Sequence, residues 1–389
     1  MNKPSKLAKR MDDIAPFHVM AILARARELE AMGRSIVHME IGEPDFVSPT
    51  PIVEAGIAAL KDGQTHYTPA LGLPALREAV SHFYTTQYGL DVPARRIAIT
   101  PGASGALQLI LNALINPGDE VLMADPGYPC NRNFVSLNGG ETILAPVDAS
   151  SDYQLTAQHL TEHWNSKCVA CLLASPSNPT GTLVSETSLQ AMFDLVQAKQ
   201  GSLIVDELYH GLTYDEKPKS ALAISDEIFV VNSFSKFFGM TGWRVGWMVV
   251  PENYIDAMDR LAQNIYLAAS TPAQYAALAA FSEASQTILL QRRDEFKSRR
   301  DYLMKALREL GFDIPVMPQG AFYLYANCEK FTDDSEAFAK QLLEEAGVAI
   351  TPGIDFGQHR ARQHVRFAYT TSLEQLKLGV ERIKQFLQA

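Results

Sequence analysis

Hydrophobic and polar positions change their period along this chain, and the changes divide it into three stretches. Over 16–34, Val19, Ile22, Leu23, Ala26 and Leu29 recur at helical spacing opposite Arg25, Arg27, Glu28 and Glu30, which predicts an amphipathic helix. A short strand over 36–41 then runs into the turn Gly42-Glu-Pro-Asp45, with helices to follow at 52–61 and 74–88 around a Pro- and Gly-rich loop at 66–74. From residue 95 short apolar runs take over, near 97–100, 120–125, 141–145, 168–174, 202–206, 228–232 and 245–250. Helical patterns at about 104–115, 129–137, 155–164 and 185–199 separate most of them. Fully apolar strands between amphipathic helices predict an α/β fold with a mostly parallel sheet sandwiched by helices. Such folds bind ligands beyond the carboxyl ends of their strands.

Beyond residue 252 the pattern is helical up to Leu310, with one long charged helix expected over 286–310. A strand at 322–326, a helix at 335–346, a strand at 365–369 and a closing helix follow, the last introduced by Ser372 and Gln375 as a capping box. This predicts a smaller α+β domain drawn from both termini. The expected limits are 1–48 for an N-terminal segment joining the small domain, 49–290 for the large domain and 291–389 for the small one.

Composition narrows the function. A formal charge of −10 and a pI near 5.4 argue against nucleic acid or an anionic membrane as partner. Lys3, Lys6, Lys9 and Arg10 open the chain, but Asp12 and Asp13 follow where a signal peptide would have its apolar core. No run approaches the roughly 18 apolar residues of a membrane span, so a cytoplasmic location is expected. Four cysteines in so long a chain do not make a disulfide framework. Cys168 and Cys171 form a C-x-x-C inside a strand, where residues three apart face opposite sides, so no metal site is expected. His159 and His163 have helical i, i+4 spacing without a nearby third ligand and read as an ordinary helix face.

The strand ends carry the chemistry. Thr100-Pro-Gly-Ala-Ser-Gly-Ala-Leu107 is a small-residue turn entering a helix, an anion cradle to which Ser104 adds a hydroxyl. It lacks the glycine and lysine spacing of a nucleotide P-loop or a dinucleotide fold. Asp125-Pro-Gly-Tyr-Pro129 places Tyr128 after a strand, and Ser175-Pro-Ser-Asn-Pro-Thr-Gly181 fixes Asn178 between prolines. Leu203-Ile-Val-Asp-Glu-Leu-Tyr209 ends an apolar run in Asp206, which is costly to bury without a cation, and Tyr209 follows three residues on. Last comes Ser233-Phe-Ser-Lys-Phe-Phe-Gly-Met-Thr-Gly-Trp-Arg-Val-Gly246, with Lys236 between hydroxyls and Arg244. A lysine amine, a buried carboxylate, a phosphate cradle with an arginine and an aromatic plate suit pyridoxal 5′-phosphate.

With these motifs in order, from Ile41-Gly-Glu-Pro-Asp45 to Val365-Arg-Phe367, the chain resembles the class I/II aminotransferases of the fold-type I pyridoxal-phosphate enzymes. The resemblance implies that Lys236 forms the Schiff base with the cofactor and shuttles the proton. It implies that Asp206 pairs with the pyridine nitrogen, Asn178 and Tyr209 with the ring oxygen, and Tyr128 with the ring face. It assigns the phosphate to Ala103, Ser104, Ser233, Ser235 and Arg244, with Tyr67 reaching the neighbouring subunit of a homodimer. Arg366, supported by Gly42 and Asn178, is implied to grip the substrate carboxylate in a ping-pong transamination. Dicarboxylate-specific relatives carry a second cation where this chain has Ser104, or where Tyr266 precedes Ser270-Thr-Pro272. With Phe17, Tyr266 and Leu267 in that neighbourhood, the expected donor is a neutral, aliphatic or aromatic amino acid and the acceptor 2-oxoglutarate or pyruvate. The alternatives are an aspartate aminotransferase or a C–S lyase on the same fold.

Overall fold

In the computed structural model, residues 7–12, 14 and 16–388 are described. Lys3, Lys6 and Asp13, which entered the reading of the N-terminus, lie outside them. Twelve strands are present among the described residues: β1 (Val37–His38), β2 (Ile97–Thr100), β3 (Glu120–Asp125), β4 (Glu141–Pro146), β5 (Cys168–Ala174), β6 (Ser202–Asp206), β7 (Phe229–Ser233), β8 (Gly246–Val249), β9 (Tyr323–Asn327), β10 (Val348–Ala349), β11 (Thr351–Pro352) and β12 (His364–Ala368).

Seven of them form one sheet in the order β2-β8-β7-β6-β5-β3-β4. The pairs from β7 to β4 are parallel, and β8 runs antiparallel to both of its neighbours. Alternate residues feed two apolar layers. Leu203 and Val205 of β6 pack into one with Leu173 and Val230, while Ile204 joins the other with Leu172 and Val231. Burial on both faces explains why these strands read as unbroken apolar runs.

A second, three-stranded antiparallel sheet has the order β11-β12-β9. The N-terminal segment is tied to this part of the chain by the parallel pair β1–β10. The helix Glu283–Leu310 is continuous for 28 residues and anchors both its surroundings through arginines. Arg299 donates to Asp45 Oδ1 (2.8 Å) and to the Thr370 carbonyl (3.0 Å), and Arg300 donates to the Pro318 carbonyl (2.7 Å) and to Asp215 (3.0 Å).

Three local expectations are corrected. The strand expected over 36–41 shortens to β1, because the Glu40 carbonyl accepts from Arg366 and Thr351 side chains and the Ile41 carbonyl from Thr370. Side chains satisfy those groups in place of a ladder. The helix expected over 335–346 is α-helical over Ser335–Gln341 and continues as one wider π-helical turn, Leu342–Ala346. Cys168 and Cys171 lie in the same apolar layer, because the β3–β5 ladder slips one residue at Val169 and resets the alternation. Among the described residues no three His, Cys, Asp or Glu side chains are grouped to hold a metal, and no helix is long and apolar enough to cross a membrane. His159 has a local task, closing a capping box with Thr156 at the start of Ala157–His163.

Candidate active site

The anion cradle forms where three segments converge. β2 ends at Thr100, and the helix Gly102–Leu114 starts two residues on with Gly102 at φ +71°. A Cβ on Gly102 would lie 2.4 Å from Arg244 Nη2, so only glycine lets the guanidinium approach the helix start. Arg244 itself sits in the left-handed region (φ 55°) and donates to Ser235 Oγ (3.4 Å) and the Thr241 carbonyl (3.1 Å). Ser233 Oγ donates to Ser235 Oγ at 3.0 Å. Across the same gap, a Cβ on Gly246 would lie 2.9 Å from the Ala103 nitrogen. Unpaired N–H groups at a helix start beside two hydroxyls and a guanidinium suit a phosphate.

Lys236 and Asp206 occupy the centre. Lys236 Nζ donates to the Gly42 carbonyl at 2.7 Å. Burial draws its pKa down to about 8, Glu43 opposes this, Arg366 and Arg244 add to it, and Asp206 opposes. Asp206 is buried at the end of β6. The one hydrogen bond to its carboxylate among the described residues comes from the Leu208 N–H, at 3.0 Å. Burial pushes its pKa up to about 6 against the Leu208 N–H and Lys236. A buried carboxylate so poorly compensated is suited to a cationic N–H from a bound ring. Tyr209 meets Tyr323 hydroxyl to hydroxyl at 2.9 Å, and burial holds both phenols above their ordinary pKa. Tyr128 meets Phe17 edge to face, with ring centres 6.2 Å apart.

Arg366, in β12, closes the other end. It is 3% exposed; Nη1 donates to Asn178 Oδ1 at 2.9 Å, and Nη2 donates to the Glu40 carbonyl and to Thr351 Oγ1. Its Cζ lies over the rings of Tyr323 (4.2 Å from the ring centre) and Phe356 (4.8 Å). Its Nε is buried and has no partner among the described residues, leaving a donor for a carboxylate.

These groups share one cavity of about 210 Å³. It is lined by Gly42, Ala103, Ser104, Tyr128, Asn178, Asp206, Tyr209, Ser233, Ser235, Lys236, Arg244 and Arg366, every residue singled out from the sequence for the chain's own pocket. Tyr67 is elsewhere and 82% exposed. Phe17 lines the cavity; Tyr266 and Leu267 do not. Sequence reading missed Tyr323, Val19 and Met20, which also line it. Tyr323 had one indirect signal, the glycine at position 42, whose missing side chain makes room for its hydroxyl. A larger cavity of about 510 Å³ lies on the Glu207 side of β6, so size does not select the site. The donor set does: an anion cradle, an activated amine, a poorly compensated buried carboxylate and an open arginine fit a phosphate-bearing pyridine aldehyde.

A fold of this kind with this pocket defines an enzyme that moves amino groups. The chain belongs to the family described as aminotransferase class I and II, whose profile it matches over residues 34–383, and it is an aminotransferase. It is 38% identical to a (5-formylfuran-3-yl)methyl phosphate transaminase of Methanocaldococcus jannaschii, over 98% of this chain and 99% of that protein. It is 37% identical to a valine–pyruvate aminotransferase of Mycobacterium tuberculosis, over 96% of this chain and 97% of that one. A crystal structure of an aminotransferase from Mycobacterium tuberculosis superposes with a TM-score of 0.95 at 36% identity, covering 99% of both chains.

Proposed function

We propose that this aminotransferase takes its amino group from a neutral, aliphatic or aromatic L-amino acid and passes it to 2-oxoglutarate or pyruvate, with pyridoxal 5′-phosphate held at Lys236. The carrying observation is Lys236, its amine drawn down to about 8, in one cavity with the poorly compensated carboxylate of Asp206. When bound, the cofactor supplies an electron sink for the carbanion left at the substrate Cα.

Lys236 Nζ is the point of attachment and the base that takes and returns the Cα proton. Asp206 would keep the ring nitrogen protonated, Asn178 and Tyr209 would bond the ring oxygen, and Tyr128 would lie against the ring. Ala103, Ser104, Ser233, Ser235 and Arg244 would hold the phosphate. Arg366 would grip the α-carboxylate through its free Nε–H, supported by Asn178 and by Gly42 in the same lining. Exchange is ping-pong: the donor leaves as its 2-oxo acid before the acceptor enters.

Three observations support the donor class. Among the described residues the lining adds no Lys or Arg beyond Lys236, Arg244 and Arg366, Phe17, Val19 and Met20 are apolar, and one relative is named for valine and pyruvate. A homodimer with Tyr67 of the partner subunit at the phosphate is supported by the exposure of Tyr67 and of Val53, Ile57 and Leu60 on the helix Thr50–Lys61. The domain limits proposed remain 1–48, 49–290 and 291–389, the last boundary falling inside the helix Glu283–Leu310.

The test is a panel of kcat/KM values for alanine, valine, leucine, phenylalanine and aspartate with each acceptor, alongside Lys236→Ala. The expected result is a neutral donor at least tenfold ahead of aspartate, with no turnover and no Lys236 Schiff-base absorbance in the variant. A preference for aspartate overturns the donor class. Turnover by Lys236→Ala overturns the scheme. Pyruvate and ammonia released from cystathionine would make the chain a lyase.

A further inference from the structure

A separate cavity of about 280 Å³ opens where the segment after β4 meets β9 and β12. Its walls include Asp148, Tyr153, Asp313, Tyr325, Arg360 and His364. Tyr325 is 4% exposed, and its hydroxyl is buried with no partner among the described residues. A buried hydroxyl left unpaired is a standing cost that a ligand's polar group would remove. His364 stacks on Tyr325, with ring centres 4.7 Å apart and planes 7° apart. Its Nδ1 donates to the Arg360 carbonyl at 2.9 Å, so the neutral ring keeps Nε2 as an acceptor. Burial lowers the pKa of His364, in keeping with that neutral form. At the mouth, Asp148 and Asp313 bring carboxylates and Arg360 a guanidinium, all exposed. The volume lies just under the range of about 300–1,000 Å³ usual for drug-sized ligands, which suits a molecule of amino-acid size.

The cavity is joined to the catalytic pocket through side chains. Tyr325 pairs with Arg366 across the β9–β12 ladder, and Tyr323 lies two residues along the same face. The Phe356 ring lies 4.8 Å from the Arg366 Cζ and meets Tyr325 edge-on at 6.2 Å.

We propose that this cavity is a second, non-catalytic site for a free α-amino acid, whose occupancy alters the grip of Arg366 on the donor. The ammonium faces Asp148, Asp313 and His364 Nε2, the carboxylate faces Arg360, and a polar side-chain end reaches the Tyr325 hydroxyl. The effect on the donor rests on the role proposed for Arg366; the binding does not.

Calorimetry of the cofactor-loaded Arg366→Lys variant with each of the twenty L-amino acids, and with methylamine and acetate as half-ligands, tests the site. At least one amino acid is expected to bind with Kd below about 1 mM (on the order of −4 kcal/mol), and neither half-ligand to match it. Adding Asp148→Asn or Tyr325→Phe should weaken that binding at least fivefold. Absence of binding, or binding unmoved by both substitutions, overturns the site. Sensitivity to those two positions decides the matter whether or not Arg366 holds the donor, so the two readings fail separately. In the otherwise unaltered enzyme, saturation with the bound amino acid should shift KM for the donor at least twofold, and an unchanged KM overturns the coupling.

Discussion

The hydroxyl of Tyr323 stands where a side chain on Gly42 would begin: a Cβ at position 42 would lie 1.9 Å from that oxygen. The same glycine offers its carbonyl to Lys236 Nζ, and the same phenol holds Tyr209. Gly42→Ala therefore must displace a ring that lies against Arg366 or a carbonyl bonded to Lys236. We expect kcat/KM to fall at least tenfold, about 1.4 kcal/mol, with a loss of stability of about 1–3 kcal/mol from the overpacked ring. Steady-state kinetics beside a melting curve checks this, and an unaltered kcat/KM would count against the pocket.

Asp206 gives a pH-dependent outcome. Its folded-state pKa, about 6, lies above its ordinary carboxylate value of 3.8, so the unfolded chain releases that proton first as pH rises. This group's destabilisation of the cofactor-free protein is absent below pH 4, grows through pH 4–6 and is complete above it. Cofactor-free Asp206→Asn should be more stable than the parent at pH 7.5 by up to about 3 kcal/mol, and equally stable at pH 3.5 if both remain folded. Turnover of the loaded variant should drop by more than a hundredfold. Denaturant titrations at the two pH values measure the first, and a constant difference would remove the electrostatic explanation.

Arg244 closes the anion cradle with little support beyond Ser235 and Thr241. Arg244→Gln should raise the Kd for pyridoxal 5′-phosphate at least tenfold while leaving the affinity for pyridoxal, which lacks the phosphate, within twofold. Equal losses for both compounds would mean that the arginine acts on the fold.

Ile57 and Leu60 are 47% and 58% exposed on the helix Thr50–Lys61. Charges there should not disturb the core. Ile57→Glu with Leu60→Glu is expected to shift the molecular mass in light scattering from dimer to monomer, and to reduce activity by removing Tyr67 of the partner subunit from the pocket. A dimer that persists would move the interface elsewhere.

What was legible in the sequence follows from chain-local physics. Six strands of the large sheet were readable because they are buried on both faces, the edge strand β4 from its half-buried apolar run, and the pocket residues because turns at strand ends gather them. The long-range partners were not. Tyr209 and Tyr323 are 114 positions apart, and nothing near either residue announces the other. The face shared by Cys168 and Cys171 depends on a slip at Val169 that period-two reasoning cannot register. Arg366 was readable as a basic residue in a strand, but its place over the rings of Tyr323 and Phe356 comes from packing of the small sheet.

The helix Glu283–Leu310 has a mechanical consequence. Its 28 residues make a rod of roughly 42 Å at 1.5 Å per residue. A tilt of about 5° around one end swings the other by roughly 4 Å, about two-thirds of the helix pitch. Arg299 couples this rod to Asp45, three residues from the carbonyl that holds Lys236. Any tilt of the rod would therefore be passed through Arg299, near its middle, to the loop over the reactive amine.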